Sequence, residues 1–135
     1  MRRFLPVNTS LGLLLIRLAL AAVFLHHGIP KLLHLGDVVE FFTSVGLPVP
    51  TVTAPVVAAV EVGGALSMLL GIGTDITGIL LAIDMTGAIV TVLWSKGFGG
   101  WELEFSLLLM ALTVALAGPG RFALGGSGGA ANRPH

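Results

Sequence analysis

The sequence predicts an all-α integral membrane protein, a four-helix bundle with a short amphipathic helix between its first and second spans. Three observations predict it. Hydrophobic residues make up 55% of the 135-residue chain and charged residues 10%, with a mean hydropathy of +0.99, whereas in soluble domains about a quarter of residues are charged. Four apolar runs, near 10–29, 54–73, 76–94 and 103–118, approach the ~20 residues that an α-helix needs to cross a ~30 Å hydrocarbon core. Cap and turn residues fall where those runs begin and end.

The first run follows Asn8, Thr9 and Ser10, which are N-cap types. Arg17 inside the run argues against a cleaved signal peptide ending near Ala19-Leu20-Ala21. Pro30 cannot donate to the carbonyl of His26, so it is expected to kink or end this helix. Next comes LGDVVEFFTSVGLPVP. Its Asp37 and Glu40 have capping-box spacing, Val38, Phe41, Phe42 and Val45 repeat at helical intervals, and Gly46 is a natural stop. About ten residues cannot span a bilayer, so this helix either anchors at the outer interface or folds over the mouth of the bundle.

The second run has Thr53 and Pro55 near its first turn, the third follows Thr74 and Asp75, and the fourth opens with Glu102 and Glu104 and closes at Gly118-Pro119-Gly120. Residues 1–124 thus form one transmembrane domain. The remainder, 125–135, is Gly/Ser/Ala-rich and reads as a disordered cytoplasmic tail. Arg2, Arg3, Arg121 and Arg133 lie on one side of the spans, against Lys31 and Lys96 on the other, which predicts cytoplasmic termini.

A net charge of zero gives no reason to expect a nucleic-acid partner. With zero cysteines, the chain has no disulfide, dithiol or thiolate-metal chemistry of its own. His26 and His27 project about 100° apart on a helix and cannot share one metal, so neither a metal nor a haem is expected.

Three ionisable residues lie within the spans: Arg17, Glu61 and Asp84. Such groups cost ~2.5–3.5 kcal/mol on insertion scales and face protein or water-filled space, which makes each a candidate site residue. At a ~1.5 Å rise per residue, Arg17 and Asp84 each come out on the order of 10 Å from the cytoplasmic face, and are expected to pair. Glu61 is expected on the order of 10 Å below the outer face, nearer to His26, His27 and Lys31. The outer half of the bundle then gathers His27, Lys31, Glu61, Trp101 and Glu102 around one cavity suited to a head group with carbonyl or hydroxyl oxygens. A histidine and a buried carboxylate are groups that can exchange protons with it. The alternative is a structural network that neutralises buried charge and holds helix register.

Taken in order, RLALAAVFLHHGIPKL, FFTSVGLPVP, EVGGALSMLLGIGTDITG, GFGGWELEFSLLL and GPGRFAL resemble the DoxX family of small four-helix membrane proteins, over roughly residues 12–124. The matching groups are Arg17, His27, Gly28 and Lys31 in the first helix, Glu61 with Gly63 and Gly64 in the second, and Gly99, Gly100 and Glu102 in the last loop; His26 and Asp84 fall outside the match. The four-helix topology also looks like that of the vitamin K epoxide reductase group, whose cysteine chemistry is absent here.

The DoxX resemblance implies a bacterial inner-membrane subunit of a quinone-dependent oxidoreductase. A quinone-like head group would bind in the outer half, with His27 and Glu61 exchanging protons. Arg17, Lys31, Asp84, Trp101 and Glu102 would contact the ligand, and electrons would arrive from a soluble redox partner. The other readings are a non-catalytic adaptor that recruits soluble redox or stress-defence enzymes, and a small carrier, which four spans favour only in a homo-oligomer.

Overall fold

The computed structural model describes residues 2–125, and every regular element among them is a helix. They are α1 (Thr9–Leu33), α2 (Leu35–Ser44), α3 (Pro50–Leu70), α4 (Thr74–Ala88) and α5 (Phe98–Ala117). A π-helical segment, Ile89–Leu93, and a 3-10 turn, Trp94–Lys96, prolong α4 into a rod of 23 residues. Four rods are therefore long and apolar enough to cross a membrane, with the short α2 between the first and second. Of the expected disordered tail, only Gly125 lies within the described residues, and its N–H donates to the Gly71 carbonyl at 3.2 Å.

Local signals explain most ends. Asn8 caps α1, its side-chain oxygen accepting from the Leu11 N–H at 3.0 Å. Pro30 does not end α1: the helix runs on to Leu33, and the His34 N–H closes the last turn on the Pro30 carbonyl. The capping box expected from Asp37 and Glu40 does not form, because α2 starts at Leu35 and Asp37 already lies in its first turn. α3 begins at Pro50, earlier than expected, and Thr53 sits inside its first turn with its hydroxyl on the Val49 carbonyl. Gly71, with φ of 72°, ends α3 in the left-handed conformation that glycine adopts without steric cost.

α1 packs mainly on α3 and α4 mainly on α5, and α3 meets α4 between the two pairs. Two glycines decide how closely. A Cβ on Gly28 of α1 would lie 2.8 Å from Val62 Cγ2 of α3, and one on Gly78 of α4 would lie 2.7 Å from the Ala111 carbonyl of α5. Small residues at such crossings let backbones approach, which is the main source of helix attraction in a bilayer. Between the helices Leu20, Phe24, Met68, Leu81 and Val114 are buried, whereas Leu15, Ile83, Val90 and Leu116 stand out at 59%, 62%, 63% and 87% exposure. An apolar exterior of this kind belongs against acyl chains.

Candidate functional site

The buried charges separate into two regions. At the end of the bundle where α1 begins, the guanidinium of Arg17, 1% exposed, donates only to backbone carbonyls. Its Nε reaches Met68 at 2.8 Å, one terminal nitrogen reaches Leu69 at 3.2 Å, and the other reaches Pro119 at 3.0 Å and Phe122 at 2.7 Å. The α3 carbonyls are among those a helix C-terminus leaves unpaired. Arg17 thereby ties α1 to the end of α3 and to the segment after α5. Three further bonds secure that segment, Leu124 N–H to the Leu70 carbonyl, Gly125 N–H to the Gly71 carbonyl and Arg121 N–H to Ser10 Oγ. Gly71 leaves the room, since a Cβ there would lie 2.7 Å from a terminal nitrogen of Arg17.

The expected Arg17–Asp84 pair is therefore absent. Helical side chains lean toward their own N-terminus, so the long Arg17 side chain ends level with the last turn of α3. The short Asp84 stays ten residues into α4, about 15 Å along its axis. That is level with Glu61, nine residues before the end of α3 and about 14 Å from it. Glu61 is also deeper than expected, because α3 starts at Pro50.

In the half of the bundle carrying α2, a cavity of about 760 Å³ opens between the end of α1, α2, α3 and the prolonged α4. Its polar centre is Lys31, Glu61 and Asp84. Lys31, in the last turn of α1, donates to both carboxylate oxygens of Glu61, at 2.7 Å to Oε2. Glu61 is 1% exposed while the Lys31 side chain is 30% exposed, so the ammonium faces the hollow from a paired position. Gly28 brings α1 close enough for this pair, since a Cβ there would lie 3.0 Å from Glu61 Cβ. Asp84 faces the same hollow, and its Oδ2 is buried with no hydrogen-bond partner. Val38, Phe41 and Phe42 of α2, Val57 of α3 and Met85 and Val92 of α4 make the remaining walls largely apolar. α2 is thus the roof of the cavity.

Arg17, expected to contact the ligand, lies outside this cavity, and so do three further expected site residues. His27 is exposed and takes no part in the cavity walls; its ring meets His26 edge-on, with centroids 5.4 Å apart. The reason is its place on the helix, since Gly28 and Lys31 occupy the stripe facing α3 and His27 sits on the flank. Trp101 stacks on Trp94, with centroids 5.8 Å apart, and meets Phe98 and Phe105 edge-on, forming an aromatic cluster at the α4–α5 junction outside the cavity. Glu102 is exposed. Both shifts follow from α5 starting at Phe98, about one turn earlier than the hydropathy suggests.

Conversely, His34, Asp37 and Lys96 line the cavity without having been singled out for it. The face that Asp37 shares with Val38 and Phe41 was the available signal, at helical spacing in α2. The π-helical turn that puts Val92 and Leu93 on the cavity had no sequence signal.

These features define a small four-span membrane protein whose interior holds a charged, roofed cavity. The chain belongs to the DoxX family, whose profile matches residues 12–94. It is 36% identical over 110 residues to "Putative oxidoreductase CatD" of Bacillus subtilis, covering 81% of each chain. It is 32% identical over 139 residues to an uncharacterized membrane protein of Mycobacterium tuberculosis, covering 90% of this chain and 84% of that one. To "Inner membrane protein YphA" of Escherichia coli it is 27% identical over 125 residues, covering 83% of this chain and 86% of the other. No solved structure matches the chain.

Proposed function

We propose that this DoxX protein is the membrane subunit of a quinone-linked redox system and holds a quinone-like head group in the cavity beneath α2. The observation that carries the reading is the buried, unpartnered Oδ2 of Asp84 at the wall of an otherwise largely apolar hollow, beside the Lys31–Glu61 pair. An apolar pocket of this size with a few convergent polar groups suits a small planar ligand, and an unsatisfied buried carboxylate oxygen is costly unless something completes it. The word oxidoreductase in the name of the Bacillus subtilis relative supports a redox role.

Reducing a quinone to a quinol takes two electrons and two protons, one proton to each carbonyl oxygen. The electrons come from a partner oxidoreductase. Lys31 donates a hydrogen bond to one ring oxygen and stabilises the negative charge that gathers there. Glu61 and Asp84 line the same hollow beside Lys31, and their carboxyls are the groups in its wall placed to pass the two protons to the ring oxygens in turn, each resupplied from water. His34, Asp37 and Lys96, toward α2 and the end of α4, provide exchange with water. The Lys and Arg distribution supports cytoplasmic termini in a bacterial inner membrane, with this cavity in the outer half.

Purification in mild detergent, followed by extraction and chromatography of bound lipid-soluble molecules, tests the reading. Stoichiometric quinone is expected with the wild-type protein, and little with Asp84→Asn or Glu61→Gln when circular dichroism shows both folded. A wild-type protein that neither retains quinone nor binds it when added overturns the reading and leaves a membrane adaptor.

A further inference from the structure

A second hollow lies on the outer flank of the bundle. It is a groove of about 540 Å³ between α4 and α5, walled by residues such as Ile79, Ala82, Val90, Leu108 and Leu112. Its two threonines present methyl groups, because their hydroxyls are bonded to backbone, Thr86 to the Ala82 carbonyl at 2.8 Å and Thr91 to the Gly87 carbonyl at 2.6 Å. No ionisable residue lines it, and Ile79 and Val90 stand 50% and 63% exposed on the apolar exterior.

The groove and the cavity beneath α2 share a border. Ile83, Gly87 and Thr91, on successive turns of α4, belong to the walls of both. Gly87 is the low point of that border, since a Cβ built there meets nothing within 4 Å. No packing requirement for glycine exists at this position; what its absence of a side chain provides is an open crossing. Just beyond it the π-helical turn sends Val90 into the groove and Val92 and Leu93 into the cavity. π-turns inside α-helices are frequent at functional sites.

We infer that the groove holds the prenyl or long alkyl tail of the molecule whose ring occupies the cavity, with the chain crossing α4 at Gly87 and the ligand entering sideways from the bilayer. This rests on the head-group reading above. The continuity of the two hollows favours one amphiphile with a polar head and an apolar chain. A phospholipid fits less well, since the ammonium its phosphate would meet at the polar centre, Lys31, is already bonded to both carboxylate oxygens of Glu61.

The test compares two probes in detergent micelles, 2-methyl-1,4-naphthoquinone and the same ring with a four-unit prenyl chain, by tryptophan quenching at matched micellar mole fraction. Wild-type protein is expected to bind the tailed probe at least about tenfold more tightly, because several buried methylene equivalents contribute. Val90→Trp and Ile79→Trp, both at exposed positions outside the cavity, are expected to erase that advantage while the tailless ring binds as before. Gly87→Leu should likewise lower the ratio. Equal wild-type affinities, or an advantage that persists in all three variants, overturns the tail groove while leaving the head-group site standing. Failure of wild-type protein to bind either probe overturns the head-group reading itself. A change of oligomeric state in Val90→Trp with the tail advantage intact assigns the groove to a second copy of the chain and overturns the inference.

Discussion

Arg17 and Glu61 are equally buried, each 1% exposed, yet they belong to opposite kinds of region. Around Arg17 four carbonyls from two separate chain segments take up the guanidinium, which lies outside the walls of the cavity. Around Glu61 one ammonium supplies the pairing, a second carboxyl stands alongside with an oxygen unpartnered, and a cavity opens. The difference teaches that burial of a charge does not separate structure from site; the degree to which its hydrogen-bonding capacity is used up does. A saturated buried charge holds elements together. An unsaturated one beside open space is set up for a ligand.

The contrast can be broken by substitution, and the largest effect is expected at Arg17. Arg17→Met leaves the α3 carbonyls and the 119–122 segment without their donor, and should cost on the order of 3–5 kcal/mol, read from unfolding in mixed micelles by circular dichroism. Ligand bound per folded molecule should not change; selective loss of ligand with normal stability would place Arg17 in the site after all. Next is Gly78→Val, whose Cβ meets the Ala111 carbonyl at 2.7 Å and should cost roughly 1–3 kcal/mol through separation of α4 from α5.

Glu61→Gln should cost less, about 1–2 kcal/mol, because Lys31 is partly exposed and can turn toward water once unpaired, while quinone retention is lost. Asp84→Asn sharpens the comparison most. Replacing an unsatisfied carboxylate should leave stability within about 1 kcal/mol of wild type, or raise it, and still abolish retention. A large destabilisation in that variant would assign Asp84 to the framework. The smallest effect is expected for His27→Ala, within about 0.5 kcal/mol and with retention unchanged, as for an exposed side chain outside the cavity.

Much of the fold was legible because hydropathy and length speak directly about bilayer crossing. All four spans and α2 lie where the apolar runs and turn residues suggest, with the starts of α3 and α5 displaced by about one turn. The Lys31–Glu61 neighbourhood was also legible, from depth and from the stripe that Gly28 and Lys31 share. The separation of Arg17 from Asp84 was not, because a rise per residue locates a Cα, and the Arg17 side chain is long enough to end in a different layer. His27 and Trp101 lie outside the cavity for a related reason: a helical flank and an early helix start turn a side chain out of a hollow that lies at the right height. The residues after Gly118 carried no visible sign that they fold back onto Arg17.

By itself, the sequence determined a membrane-embedded all-α chain with four crossings, a short helix between two of them and a few costly charges, since apolar length and the penalty on buried charge are properties of single segments. Only the tertiary structure decided which charge is consumed by backbone and which borders a hollow. That depends on which carbonyls and side chains from distant segments converge within hydrogen-bond reach, and at Gly28 and Gly71 on where the absence of a side chain lets them converge.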